Sequence, residues 1–345
     1  MAFDAIEDGV NGAGEYRRHI KKAEHTIFII LAASFAIFMI IALFAIANEG
    51  FGSFAREISS INVAYYAGAI LILFGGYLLR FPKWGLYLNK LGVRIGRAKN
   101  LVIYLSMYSM DITPGRWGRS IASYTIGKVS NARFTKVFPA IVADIFTDFL
   151  GFASLALFAS FLVDRFIFES VLLTILLLLP FFFLYNKGPF QYIKGKFGHI
   201  RWLRKFFKSG ELYFRNKSLL GKGAYIYSLP FTITAEIMNG AALFLVILSF
   251  GVNLGLSDFP IVIFIYTSSL LIGLITGIPA TLGVTDGALI GYLTLFFPAL
   301  GITFGLASAI TIFFRFISVW FVEGFGLASL VYTTRYWSTP SRSAR

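Results

Sequence analysis

I-T-P-G-R-W-G-R at 112–119 and G-I-P-A-T-L-G-V-T-D-G at 277–287 decide how this chain folds. Each holds Pro-x-x-x-Gly inside an otherwise apolar stretch, one in each half of the sequence. Pro114 and Pro279 lack an amide N–H and push the preceding Thr113 and Ile278 out of helical geometry, so a helix entering either motif must turn there. A new half-helix begins just beyond, and its first N–H groups need a partner from protein, water or ligand because hydrocarbon offers none. An anionic headgroup would suit them. Gly115 and Gly118, and then Gly283, Gly287 and Gly291 at a spacing of four, remove side-chain bulk. That serves either tight helix packing or the approach of a phosphate.

The rest of the chain is written for a bilayer. Of 345 residues, 57% are apolar and 18% aromatic, while only 14% are charged, against about 25% charge in soluble domains. No polar stretch is long enough to fold as a separate soluble domain, so the length fits one polytopic domain with its loops. With no cysteine there is neither a disulfide framework nor a thiolate nucleophile. The net charge of +14 sits in loops beside apolar spans, where the positive-inside rule and anionic headgroups account for it, so nucleic acid is not an expected partner.

Six stretches are long enough to cross about 30 Å of hydrocarbon: 26–47, 61–79, 136–163, 167–185, 224–250 and 303–334. Two more, 101–127 and 260–297, are broken by the two motifs. Ala45-Ile46-Ala47 ends the first span like a signal-peptidase site, but the acidic, long polar segment before it reads as the flank of a retained helix. Lys and Arg cluster at 17–22, 80–99, 128–136, 187–222 and 335–345, which places those segments and both termini in the cytoplasm. The loops 48–60, 164–169, 251–258 and 298–302 are poor in basic residues and read as external.

This charge map gives 101–127 basic flanks on both sides and 260–297 charge-poor flanks on both sides. The expected fold is therefore an all-α polytopic membrane protein of about six full transmembrane helices and two opposed re-entrant hairpins in an inverted repeat. The segments are a polar N-terminus 1–25, a first repeat 26–163, an inverted second repeat 164–334 carrying the basic loop 187–222, and a tail 335–345. The competing reading makes 260–297 two ordinary spans.

Charges inside apolar spans are costly and face the protein interior or a wet cavity. Asp144 and Asp148 share one helix face, Glu236 lies in the fifth span, Asp286 follows the second break, and Arg315 and Glu323 lie in the last span. Arg116 and Arg119 flank the first break, while Asp111 and Asp164 stand near span ends and read as solvated. Two roles fit the interior charges. Either Arg116, Arg119 and Arg315 attract a phosphate in a polar cavity while the carboxylates pair with them or carry protons, or the charges are internal ion pairs that hold the halves together.

P-G-R-W-G at 114–118, D-I-F-T-D-F-L at 144–150, and P-A-T-L-G-V-T-D-G at 279–287 followed by F-F-R-F at 313–316 resemble the flippase-like membrane family that includes the transmembrane region of lysylphosphatidylglycerol synthetases. The resemblance runs over roughly 26–334 and is strongest at Pro279, Gly283, Asp286 and Arg315. It departs from the family pattern where an acidic residue gives way to Arg119 and where the Asp144–Asp148 run lacks an internal Arg. It implies a protein that moves an aminoacylated phospholipid or a polyprenyl-phosphate-linked sugar between leaflets. The expected partners are membrane lipids with anionic headgroups or polyprenyl phosphates, together with a second copy in a homo-oligomer.

His19, His25 and His199 all fall in polar flanks with no Ser/Asp partner in a shared span, so neither a hydrolase triad nor a metal site is read, and no cofactor is expected. The run H-I-R-W-L-R-K-F-F-K at 199–208 reads as an interfacial helix with Trp202, Phe206 and Phe207 toward acyl chains. Beside the transporter stand two alternatives: an integral-membrane glycosyltransferase or accessory subunit using a lipid-phosphate donor, and a non-transporting membrane scaffold.

Overall fold

The computed structural model describes residues 61–130, 132–200 and 221–337, with isolated positions in 29–59 and 207–214. The first expected span, 26–47, and most of the expected interfacial run 199–208 lie outside the described residues. Within it every regular element is helical. α1 (Val63–Leu79) begins at Asn62, whose side chain accepts from the amides of Ala64 at 3.0 Å and Tyr65 at 3.4 Å and so caps the first turn. It passes through Arg80 into α2 (Phe81–Lys90), where Pro82 is tolerated because a first-turn N–H has no intrahelical partner. α3 (Arg97–Tyr108) and α4 (Ile121–Ser130) flank the first break, and α5 (Phe134–Val163) and α6 (Ile167–Tyr185) follow. Beyond α7 (Lys187–Phe197) come α8 (Gly221–Ser249), α9 (Phe259–Thr276) and α10 (Val284–Phe296), the last two separated by the second break. α11 (Phe304–Arg315) runs through a π-helical turn (Phe316–Phe321) into α12 (Val322–Trp337).

Six of these stretches are long and apolar enough to cross a membrane: Val63–Lys90, Phe134–Val163, Ile167–Tyr185, Gly223–Ser249, Leu256–Thr276 and Phe304–Thr333. Five match expected full spans. Two differences have physical reasons. The span expected to stop at residue 79 continues to Lys90, because Phe81-Pro82 restarts a helix instead of ending one. The first arm of the expected hairpin 260–297 is itself of crossing length, because Gly277 takes a left-handed backbone only after 21 residues of helix. By contrast α10, at 13 residues, reaches only about 20 Å.

Close approach at small residues sets the packing. α8 lies along α1, and a Cβ on Gly76 would come within 3.2 Å of the Ala235 carbonyl oxygen. α12 lies along α3, where a Cβ on Gly326 would stand 3.1 Å from the Leu105 carbonyl oxygen. Without a hydrophobic drive between helices in lipid, such backbone approach is what dispersion contacts require. α6 carries a long exposed apolar face, with Phe168, Leu172, Ile175, Leu179 and Phe182 outward, as a helix at the lipid boundary does. Phe207, expected toward acyl chains, is instead buried against Phe190 of α7 with ring centroids 5.7 Å apart.

Candidate functional site

At the first break the chain leaves α3 through Thr113, extended at ψ 147° as the residue before a proline should be, and enters a 3-10 turn over Pro114–Ser120. Gly115 and Arg116 are both left-handed, with φ of 61° and 60°. Thr113 replaces the interrupted ladder: its hydroxyl accepts from the Gly118 amide at 2.8 Å and donates to the Met110 carbonyl at 2.7 Å. A Cβ at Gly118 would strike that threonine at 2.7 Å, so glycine is needed there for contact and not for backbone freedom.

The second break repeats the geometry. Ala280 and Thr281, the two residues after Pro279, are left-handed at φ 52° and 55°, the same places relative to proline as Gly115 and Arg116. A left-handed backbone costs about 1–2 kcal/mol at a residue with a Cβ, and it persists here because neighbours fix it. The Ala280 amide donates to the Ile112 carbonyl at 2.9 Å, so the two breaks touch backbone to backbone. Arg315 donates to the Ala280 carbonyl at 2.9 Å and its Nε lies 2.7 Å from Asp286 Oδ1. The other oxygen of Asp286 accepts from the Gly283 amide at 2.8 Å, which caps α10.

Behind the first break the interior charges close on one another. Arg119 spans Asp111, with two donors at 2.5 and 2.6 Å, and reaches Asp144 at 2.7 Å and Asp148 at 3.1 Å. Lys83 meets Asp148 at 2.5 Å and Asp144 at 3.1 Å, and Arg116 meets Asp148 at 3.2 Å. Three cations therefore face three carboxylates. Arg80 pairs with Glu236, which also accepts from Tyr266 at 2.8 Å and Asn239 at 3.2 Å. Arg315 balances Asp286. Glu323 is the carboxylate left over: it is only 4% exposed, and its buried Oε2 has no hydrogen-bond partner among the described residues.

A cavity lies between these groups, lined by Asp111 and Arg116 from the first break and by Ala280, Thr281 and Thr285 from the second. Arg80, Arg315 and Glu323 also face it, with Tyr77, Tyr108 and Tyr266. The π-turn places two of them. Eight residues along a straight α-helix leave two side chains about 80° apart, whereas one residue absorbed by a π-turn leaves about 20°. Arg315 and Glu323, eight apart across Phe316–Phe321, thus share the cavity face.

Of the residues singled out in the sequence, Arg116, Arg315 and Glu323 line the cavity, while Arg119, Asp144, Asp148, Glu236 and Asp286 stand behind it in ion pairs. Gly115 and Gly118 shape the first turn, and Pro279 and Gly283 bound the second. Asp111, expected to be solvated, is 17% exposed and holds Arg119 and Arg116. Arg80 and Lys83, read as loop charges, are fully buried. Their signal is a helical stripe, since Arg80, Lys83, Trp84, Tyr87, Leu88 and Leu91 follow the three–four spacing of one face and all are buried.

The sequence profile of the lysylphosphatidylglycerol synthase TM region matches residues 30–326. The chain is also 22% identical over 327 residues to a UPF0104 membrane protein of Methanothermobacter thermautotrophicus, an alignment covering 86% of this chain and 95% of the relative.

Proposed function

The chain belongs to the lysylphosphatidylglycerol synthase TM-region family, and from that premise we propose that it passes a phosphate-bearing lipid headgroup between leaflets through the cavity between its two breaks. The observation that carries this reading is the meeting of both breaks at one polar cavity inside an apolar helix bundle. In this reading the headgroup enters the cavity while the tails stay in the bilayer. Arg116, 13% exposed, and Arg315 offer the cations that a phosphate would meet. The substrate class is an aminoacylated phospholipid or a polyprenyl-phosphate-linked sugar, and the chain acts as a carrier without a catalytic step.

In this reading the matched left-handed pairs after Pro114 and Pro279 mark two copies of one element. The copies enter from opposite faces as re-entrant hairpins of an inverted repeat, with repeat boundaries near 26–163 and 164–334 and both termini cytoplasmic. The chain has no cysteine, so single replacements read the topology directly. Gly255→Cys should react with an impermeant thiol reagent from outside, and Lys90→Cys only after permeabilisation. The reversed pattern overturns the orientation.

The transport reading is tested by reconstituting the full chain with headgroup-labelled lipids of several classes and measuring movement between leaflets. Acceleration of one phosphate-bearing class over protein-free vesicles is the expected result. Equal rates with and without protein for every class remove the proposal.

A further inference from the structure

We infer that Glu323 is a proton site of the cavity, and that an anionic headgroup enters together with one proton bound there. The inference rests on the transport reading and adds its energy source. Every other interior carboxylate described above has a counter-charge within 3.2 Å. Glu323 has none among the described residues, although it is 4% exposed and faces the cavity. An ionised carboxyl so placed is left without the counter-charge that offsets its desolvation, and protonation removes that cost.

The groups around Glu323 come from several elements. Asp111 and Arg116 face the cavity from the first break, Tyr108 from α3 and Arg315 from α11. Tyr77 and Arg80 face it from α1, and Tyr266 from α9, while α4, which also packs on α12, contributes no residue to the lining. Arg80 and Arg315 are committed to Glu236 and Asp286, and Arg116 to Asp148 and Asp111. Counting the paired groups behind the cavity, five cations (Arg80, Lys83, Arg116, Arg119 and Arg315) face six carboxylates when Glu323 is ionised, and that excess opposes entry of a phosphate. With Glu323 protonated, the site is neutral and the phosphate can share Arg116 and Arg315 without an opposing charge. A metal cation is the poorer occupant, because no group of three His, Cys, Asp or Glu among the described residues would hold one. The step is simple in balance: cavity water gives a proton to a carboxylate oxygen of Glu323 on one side, and the same proton returns to water on the other.

The test uses the full chain in phosphatidylcholine vesicles containing acyl-labelled phosphatidylglycerol, with acyl-labelled phosphatidylcholine as the zwitterionic control. Transfer of the anionic lipid should fall by about tenfold per pH unit once most Glu323 is ionised, because only the protonated fraction is competent. The phosphatidylcholine control should be flat, and Glu323→Gln should remove the slope for phosphatidylglycerol. Independently of lipid movement, the infrared spectrum of the wild-type protein should contain a protonated-carboxyl band that fades as pH rises and is missing in Glu323→Gln. A flat wild-type profile, a slope retained by Glu323→Gln, or a titrating band that survives the substitution each overturns the inference. If the band behaves as expected but no lipid moves, the transport reading and the coupling fall together and Glu323 stands as a proton site alone.

Discussion

The two breaks share a backbone and differ in how their polar groups are used. Around the first, three cations and three carboxylates satisfy one another, and the Thr113 hydroxyl both donates and accepts. Around the second, a single pair, Arg315 with Asp286, stands among hydroxyls with spare capacity. The hydroxyls of Thr285 on α10 and Ser318 in the π-turn, both lining the cavity, have no hydrogen-bond partner among the described residues; on the side of the first break Ser123 is alike. Buried hydroxyls normally find partners. The first break is thus built as a closed brace, and the second as the side with hydrogen bonds to offer.

The largest effect should come from breaking the brace. Asp148→Ala leaves Lys83 and Arg116 without one of their counter-charges in the interior, and removal of one partner of a buried network costs about 3–5 kcal/mol. The variant should lose its folded, monodisperse form in detergent well below the wild-type melting temperature. A melting temperature within a degree or two of wild type would mean that the network is not a brace.

A smaller and more discriminating effect is expected at the second break. Arg315→Ala strands Asp286, whose other oxygen still caps α10, and should lower the melting temperature and abolish lipid transfer. Adding Asp286→Ala should recover part of the stability, less about 1 kcal/mol for the lost cap, because removing both partners costs less than removing one. Transfer should stay lost. Recovery of transfer in the double variant would reduce Arg315 to a structural partner and erase the contrast between the breaks.

The smallest effect concerns backbone strain. Ala280→Gly keeps the amide that donates to Ile112 and removes the Cβ from a left-handed residue, so stability should rise by about 1 kcal/mol. The parallel change at Arg116 confounds strain with the loss of an ion pair, which is why Ala280 is the cleaner probe. A fall in melting temperature for Ala280→Gly would contradict the left-handed assignment.

The breaks were legible in the sequence because proline and glycine act locally: Pro114 and Pro279 interrupt a helix whatever surrounds them. The interior carboxylates were legible too, since Asp144, Asp148 and Glu236 stand in unmistakably apolar company. Arg80 and Lys83 were not, because a cation after an apolar run reads as the start of a loop, and only the tertiary approach of α5 and α8 turns them inward. Asp111 was misplaced for the same reason, since its partner Arg119 returns to it only through the 3-10 turn. The partnerless state of Glu323 was beyond reach from sequence, because it depends on which of its neighbours are already engaged and on a π-turn with no compositional mark.

The hydrogen bond from the Ala280 amide to the Ile112 carbonyl sets a limit on how this molecule can move. A backbone bond tolerates only a few tenths of an ångström before it is lost. If one half of the protein rocks against the other while that bond persists, the two tips cannot separate and must act as the fulcrum. Access would then alternate by movement of the surrounding helices about a fixed centre. The headgroup would stay at the pivot while the opening travels around it.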